Sequence, residues 1–115
     1  MIIIAGQIEV ADATRRDGIV AGSVRFQAAT REEESGCLAY CFAADPVVPD
    51  RIQVYELWSD EASLQAHFSH PNYLHMRAFL REAGLKGADN RKYHCDMVKP
   101  VYDGNRVARA DFDHD

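Results

Sequence analysis

The chain has 115 residues, of which 47% are hydrophobic and 27% charged, and its formal net charge is −5 at pH 7. This length fits one domain, and the apolar and aromatic content excludes an intrinsically disordered chain. The excess of acidic residues gives no electrostatic reason to expect nucleic acid or an anionic membrane as a partner.

The N-terminal part of the chain predicts a strand followed by a long helix. Met1–Val10 is rich in Ile and Val, which is typical of a strand. Asp12 is a suitable N-cap for a helix that runs to about Glu34. We interpret the charged run Arg31–Glu34 as the solvent-exposed end of this helix. The 3.6-residue spacing predicts an inward stripe of Ile19, Ser23, Phe26 and Ala29, with Val20 and Val24 alongside.

The middle of the chain predicts a β-hairpin. Cys37–Ala44 and Ile52–Trp58 are two apolar runs, and a short segment with two prolines separates them. Two strands with so short a connection are expected to pair antiparallel. In the second run, alternate residues from Ile52 to Trp58 share one face, which places Glu56 on the same side as Trp58.

The C-terminal part predicts two helices, a last strand and a tail. Ser59 is the expected N-cap of a short helix, and Pro71 ends that helix and begins the next, which runs to about Leu85. Gly84 and Gly87 are expected to end the second helix. A fourth strand is predicted at Arg91–Val98. We divide the chain into a domain at 1–100 and a polar, acidic, mobile tail at 101–115.

This order is β-α-β-β-α-β, an α+β arrangement of the ferredoxin-like kind with a four-stranded antiparallel sheet and helices on one face. The strands are apolar on both faces, because Ile3, Tyr55 and Leu57 point away from Ile2 and Trp58. A bare apolar sheet face is unusual on a monomer. We therefore predict a homodimer whose two sheets pack face to face.

The residues best suited to chemistry lie between Glu56 and Tyr73. Trp58 ends a strand, and His67 is predicted on the helix above it, so their side chains can meet between sheet and helices. A buried Glu56 needs a partner, and Arg77, His67 or a backbone amide are the candidates. A purely structural reading, with a core Trp, a hydrogen-bonded Glu and a helix His, explains these residues equally well from their chemistry alone.

The histidines and cysteines do not indicate a metal site or a disulfide. The spacing of His67, His70 and His75 matches no familiar zinc pattern. Cys37 and Cys41 are predicted on one face of a strand, roughly 13 Å apart, which is too far for a disulfide.

The longest apolar run, Met1–Ala5, is much shorter than the roughly 20 residues of a membrane span, and no basic segment precedes it. We expect a soluble cytoplasmic protein with no membrane partner.

Several segments together resemble the antibiotic biosynthesis monooxygenase (ABM) family over about residues 1–100. These segments are Gly36-Cys37-Leu38-Ala39-Tyr40, Asp45-Pro46, Glu56-Leu57-Trp58-Ser59-Asp60-Glu61-Ala62, Leu64-Gln65-Ala66-His67 and Ser69-His70-Pro71-Asn72-Tyr73. The resemblance implies a ferredoxin-like protomer that forms a dimeric α/β barrel. It also implies a monooxygenase that oxidises an electron-rich aromatic such as a quinol or anthrone with O₂ and needs no cofactor, neither flavin, haem nor metal.

The resemblance also suggests roles for individual residues. His67 is the expected catalytic base, since an imidazole titrates near pH ~6.5. Members that degrade haem carry an Asn, a Trp and a haem-binding His where this chain has Gln7, His67 and Arg77, which disfavours haem degradation. Trp58, Phe68, Tyr73 and Phe42 would form the apolar walls around a small aromatic ligand. Gln7, Asn72 and Arg77 would donate hydrogen bonds to it, and Glu56 would also contact it.

Two other functions fit the same sequence. Arg77–Lys99 holds six cationic and three acidic residues, which would suit an isomerase that acts on a small polar or phosphorylated metabolite. A non-catalytic dimeric metabolite-binding protein is the third possibility, because a fold does not determine a function. A wide aromatic pocket would favour the oxygenase, a small cationic pocket the isomerase, and a collapsed pocket the binding protein.

Overall fold

The computed structural model describes residues 1–115 and consists of one four-stranded sheet with three α-helices. The elements are β1 (Ile2–Val10), α1 (Arg16–Glu33), β2 (Cys37–Ala44), β3 (Arg51–Trp58), α2 (Glu61–Ser69), α3 (Pro71–Ala83) and β4 (Leu85–His94). All strand pairs are antiparallel and the strand order is β2-β3-β1-β4. The predicted α+β, ferredoxin-like fold is therefore confirmed. No helix has the length and apolar character needed to cross a membrane.

The helices cover one face of the sheet, and the core lies between them. The predicted alternation in β3 is confirmed, since Ile52, Val54, Glu56 and Trp58 are all buried. They pack with Ile2, Ile8, Val10, Ile19, Tyr40, Phe42, Leu64, Met76 and Leu80. On the opposite face, Tyr55 and Tyr93 remain 43% and 52% exposed. The sheet thus has one covered face and one open face that carries large apolar side chains.

The helix α1 begins as predicted, and its inward stripe is confirmed at Ile19 and Ser23, which are buried. The Asp12 side chain accepts a hydrogen bond from the Thr14 amide and caps a short 3-10 turn that leads into α1. The predicted inward position of Val24 is wrong, because this residue is 56% exposed. Gln27 is buried instead, and its amide group both donates to the Phe42 carbonyl oxygen and accepts from the Phe42 amide. Its hydrogen bonds satisfy the backbone at the outer edge of β2, which offsets the cost of burying an amide.

A β-bulge in β2 changes the placement of its cysteines. The pairing with β3 shifts between Cys37 and Ala39, so Cys37 lies opposite Trp58 and Cys41 opposite Tyr55. The prediction that the two cysteines share a face is therefore wrong. An extra residue in one strand reverses the facing of every residue on one side of it. Cys37 packs against the core, whereas Cys41 is exposed on the open face.

The helices α2 and α3 are placed as predicted, with small differences at their ends. Asp60, not Ser59, is the N-cap of α2, and it accepts from the Ser63 amide at 2.8 Å. Its carboxylate is the stronger acceptor for the amides of the first turn. Pro71 is the first residue of α3, as expected. Gly84 ends α3 with a φ of +95°, a conformation that favours glycine.

The last strand starts six residues earlier than predicted. β4 spans Leu85–His94 rather than Arg91–Val98, and Gly87 lies inside it. It is an edge strand that pairs only with β1, and almost all of its residues are exposed. The strand therefore lacks the alternation of apolar and polar residues from which a strand is predicted. Beyond it, the chain makes a small turn in which Tyr102 pairs with Ala108. The division of the chain at residue 100 remains a prediction.

Candidate functional site

A cavity of about 520 Å³ lies between the inner face of the sheet and α3. All four strands and the helices α2 and α3 contribute side chains to its wall. Most of the lining is apolar, with Ile4, Ile8, Phe42, Met76 and Leu80 among the largest surfaces. Its polar side chains include Glu56 and His67, which are both buried. An apolar cavity with a few converging polar groups is typical of a small-molecule site.

The structure brings six of the predicted site residues to this cavity and places three elsewhere. The six lining residues are Phe42, Glu56, His67, Phe68, Tyr73 and Arg77. Trp58 is fully buried beneath the ring of His67, with 4.5 Å between the ring centroids. Asn72 is buried and donates to Glu33 and Glu34 at the end of α1. Gln7 lies on the open face, since its neighbour Ile8 is the residue that faces the core.

His67 is held in one orientation by its neighbours. Its ring is 1% exposed and lies on Trp58, with the rings of Tyr40 and Tyr73 edge-on at centroid distances of 5.6 and 5.3 Å. Its Nδ1 is 2.8 Å from Oε1 of Glu34. An ionised carboxylate can only accept a hydrogen bond, so Nδ1 carries the proton. Nε2 makes no hydrogen bond within the chain and is left with a free lone pair at the cavity that His67 lines.

The protonation of His67 depends on two opposing effects. Burial lowers the pKa of its imidazole, while the hydrogen bond and the charge of Glu34 oppose this shift. Because the net shift is downward from the ordinary value of 6.5, the imidazole is largely neutral at pH 7. A neutral imidazole with its Nδ1 proton held by a carboxylate is the arrangement of a general base.

Glu34 is the functional residue that sequence reasoning missed. We expected Arg31–Glu34 to be solvent-exposed, which is wrong for Glu34, whose side chain is only 8% exposed. It follows the last residue of α1 with an extended backbone, at φ −106° and ψ 101°, and this conformation turns its side chain inward. Nothing in the sequence separates it from Glu32 and Glu33, because the turn exists only where α1 ends against α2 and α3.

Glu56 is the second buried carboxyl group of the cavity. It is 6% exposed, and its Oε1 accepts a hydrogen bond of 3.0 Å from Nε1 of Trp58. The predicted partners Arg77, His67 and a backbone amide are wrong, because residues two apart on a strand share a face and Trp58 is closest. Burial raises the pKa of Glu56 to about 7, and the Trp58 hydrogen bond only partly opposes this.

Two further groups belong to the cavity. Tyr40 forms part of the wall, and burial, with Glu56 and Glu34 nearby, raises the pKa of its hydroxyl, which stays protonated. The mouth is lined by three cationic side chains, Arg77 and Arg81 from α3 and Lys92 from β4. Arg91 also borders it, but its side chain lies on the open face of the sheet. Only Arg77 was among the predicted site residues. Arg91 and Lys92 could not be assigned while the start of β4 was unknown.

Comparisons with known proteins identify a family and a shared fold. The family model described as antibiotic biosynthesis monooxygenase matches residues 1–78. A candidate antibiotic biosynthesis monooxygenase from Deinococcus radiodurans is 20% identical, with a TM-score of 0.73 over 88% of this chain and 98% of that chain. Another from Caulobacter crescentus is 16% identical, with a TM-score of 0.74 over 85% and 90%.

A third solved structure has the same fold. A Bacteroides thetaiotaomicron protein of unknown function, described as a possible oxidoreductase, is 20% identical, with a TM-score of 0.69 over 80% of this chain and 94% of that chain. No curated protein matches the chain. At these sequence identities the similar structures show only that the fold is shared. Membership of the family is shown by the match to the family model.

Proposed function

The chain belongs to the antibiotic biosynthesis monooxygenase family, and from this premise we propose that it is a cofactor-independent monooxygenase that oxidises an electron-rich aromatic, such as a quinol or anthrone, with O₂. One observation carries the proposal. His67 is buried, held by Glu34 through Nδ1, and free at Nε2 toward an apolar cavity of about 520 Å³. A base of this kind can deprotonate a phenol bound in the cavity.

In the proposed mechanism, Nε2 of His67 removes a phenolic proton, and Glu34 stabilises the imidazolium that forms. The resulting phenolate is electron-rich enough to reduce O₂ directly. One oxygen atom enters the product and the other leaves as water, and the substrate supplies all the electrons. In an anthrone the CH₂ group becomes C=O. In a quinol a ring C–H becomes C–OH while the two hydroxyl groups are oxidised to the quinone carbonyls. Glu56, whose pKa is about 7, holds a proton in a large fraction of molecules near neutral pH and can protonate the departing oxygen.

The remaining side chains hold the substrate. Phe42, Phe68 and Tyr73 offer apolar and aromatic surface to a flat ring. Arg77 at the mouth and the hydroxyl of Tyr40 are the donors that can stabilise a phenolate. Trp58 and Asn72 act indirectly, since Trp58 supports the ring of His67 and Asn72 holds the carboxylate of Glu34.

Oxygen uptake tests this function. Wild type, His67→Ala and a control His75→Ala are supplied with dihydroxynaphthalenes, anthrones and catechols, in the presence of a chelator. His75 is an exposed histidine on α3 outside the cavity, so the control matches the substitution without touching the site. We expect kcat to fall by about 10²–10⁴ in His67→Ala only, the usual contribution of a general base. Equal uptake by wild type and His67→Ala would contradict the assignment of the base.

A second candidate is an isomerase that acts on a small phosphorylated metabolite. The three cationic side chains at the mouth are the observation in its favour. The mainly apolar wall favours the oxygenase, because a small polar metabolite gains little from Phe42, Met76 and Leu80. Conversion of a sugar phosphate without oxygen uptake would support the isomerase.

We further propose that two copies associate through the open face of the sheet. On this face Ile3 lies opposite Leu57 and Tyr93, beside the exposed ring of Tyr55. A continuous apolar patch of this kind is most simply covered by the same patch of a second copy, related by a two-fold axis. The expected assembly is the dimeric α/β barrel.

Light scattering on a gel-filtration column tests this association. The wild type is expected to have twice the protomer mass of 12.9 kDa, and Tyr55→Arg to have the mass of one protomer. Val47→Arg is the matched control, because Val47 is 84% exposed in the turn between β2 and β3, away from the open face. A monomeric wild type at all concentrations would refute the proposal.

A further inference from the structure

The cationic side chains at the mouth of the cavity have few partners of their own. Arg77, Arg81 and Lys92 take part in none of the ion pairs of the chain. Arg91 pairs only with its strand neighbour Asp89 at 3.2 Å, and both side chains are mostly exposed. The one carboxyl group that lines the cavity is Glu56, which is buried. The mouth therefore carries an excess of positive charge.

This charge is unusual for the chain and for the helix that carries part of it. The chain has 18 acidic and 13 cationic residues, yet three cationic side chains and only one acidic side chain line this cavity. Arg77 and Arg81 are four residues apart on α3, where like charges destabilise a helix. The helix dipole favours Arg81 in the last turn of α3, and an acidic residue at position 77 would pair with it, so helix stability gives no reason for a second arginine at 77. An anion bound between α3 and β4 would relieve their repulsion.

We propose that the substrate is an aromatic acid, a flat ring system with a carboxylate that Arg77, Arg81 and Lys92 bind at the mouth. The inference rests on the proposed function only in that the ring lies in the same cavity. The apolar wall takes the ring, and the cations take the acid group. This arrangement directs one end of the substrate outward and the opposite end toward His67 and Glu56, so the acid group also selects which ring position reacts.

Equilibrium binding tests the inference without any turnover. Naphthoate and naphthamide have the same ring and differ in whether their substituent is charged, and neither can be oxidised as a quinol. Titration calorimetry at low ionic strength gives the ratio of their Kd values. We expect wild type to prefer naphthoate by about tenfold, a typical effect for a charge-assisted contact. The ratio is expected to fall toward one in the double variant Arg81→Gln/Lys92→Gln.

The control removes the same charges elsewhere. Lys99→Gln and Arg106→Gln change residues beyond β4 that line no part of the cavity, so the ratio should stay at the wild-type value. All four positions are exposed, so these substitutions remove no core packing. A wild-type ratio near one, or a ratio that the double variant leaves unchanged, would overturn the inference.

Oxygen uptake with dihydroxynaphthalene and dihydroxynaphthoate separates this inference from the proposed function. If both quinols are oxidised with equal kcat/KM and the naphthoate preference is absent, the monooxygenase assignment holds and the inference fails. If naphthoate is preferred but neither quinol is oxidised, the anion site holds and the monooxygenase assignment fails.

Discussion

Replacing Glu56 by Gln tests the electrostatics of the cavity through folding stability. Glu56 is 6% exposed, and its pKa is raised from 4.5 to about 7, chiefly by burial. Gln has the same shape, and its Oε1 can still accept the hydrogen bond of Trp58. The substitution therefore removes a carboxyl group whose ionised form is costly in the folded state while it preserves the packing.

The direction of the effect follows from proton binding. Between the two pKa values, the folded state holds a proton on Glu56 that the unfolded state has released. The free energy of unfolding of the wild type therefore falls as the pH rises through this window and levels off above about pH 7. Linkage gives a loss of about 2–3 kcal/mol between about pH 5 and about pH 8. Glu56→Gln lacks this loss, so its stability relative to wild type should increase with pH.

Urea denaturation of both proteins at these two pH values measures the effect. Glu32→Gln serves as the control, since Glu32 is exposed on α1 and the substitution removes the same charge. We expect the difference between Glu56→Gln and wild type to change by about 2–3 kcal/mol between the two conditions, and the control difference to stay constant. A difference that does not change with pH would refute the argument that burial holds Glu56 protonated.

Three further substitutions test the site and its support. Glu34→Gln removes the carboxylate that opposes the effect of burial, so the pKa of His67 should fall further. The acidic limb of the plot of kcat/KM against pH should then move to lower pH, and an unmoved limb would argue against the pairing of His67 with Glu34. Gln27→Leu leaves the amide and carbonyl of Phe42 without partners and should cost about 2–4 kcal/mol in urea denaturation. Gly6→Ala brings a Cβ against the backbone of β4 and should lower the free energy of unfolding by about 1–3 kcal/mol. Thermal unfolding measures this, and an unchanged Tm would show that β1 and β4 can move apart at no cost in stability.

Much of the fold could be predicted because the core strands carry strong local signals. The alternation along Ile52–Trp58 determines which side chains are buried, and with it the positions of Glu56 and Trp58. Pro71 separates α2 from α3, since proline is favoured in the first turn of a helix. His67 then follows from its place on the inner face of α2. The positions of Glu56, Trp58 and His67 between the sheet and the helices could thus be predicted from sequence patterns.

The rest of the site depends on contacts that no local pattern encodes. Glu34 is buried only because α1 ends where α2 and α3 meet it, and an isolated helix end would leave it in water. The bulge before Ala39 changes the facing of Cys37, since one added residue reverses a strand. β4 has exposed, polar residues, so neither its start nor the cations that it places at the mouth show any periodicity.

The contact between Gln27 and β2 also limits how the sheet can grow. The amide of Gln27 occupies both hydrogen-bonding groups of Phe42, and Arg31 donates to the carbonyl of Tyr40, so a strand from another molecule finds this edge already used. Only β4 keeps an unpaired edge. Two copies can pair through their β4 edges, but a third copy cannot add to them, because each copy then presents only its blocked β2 edge. Strand pairing through β4 could therefore join two copies without leaving a second open edge, and the contacts of Gln27 and Arg31 with β2 are what close the other edge.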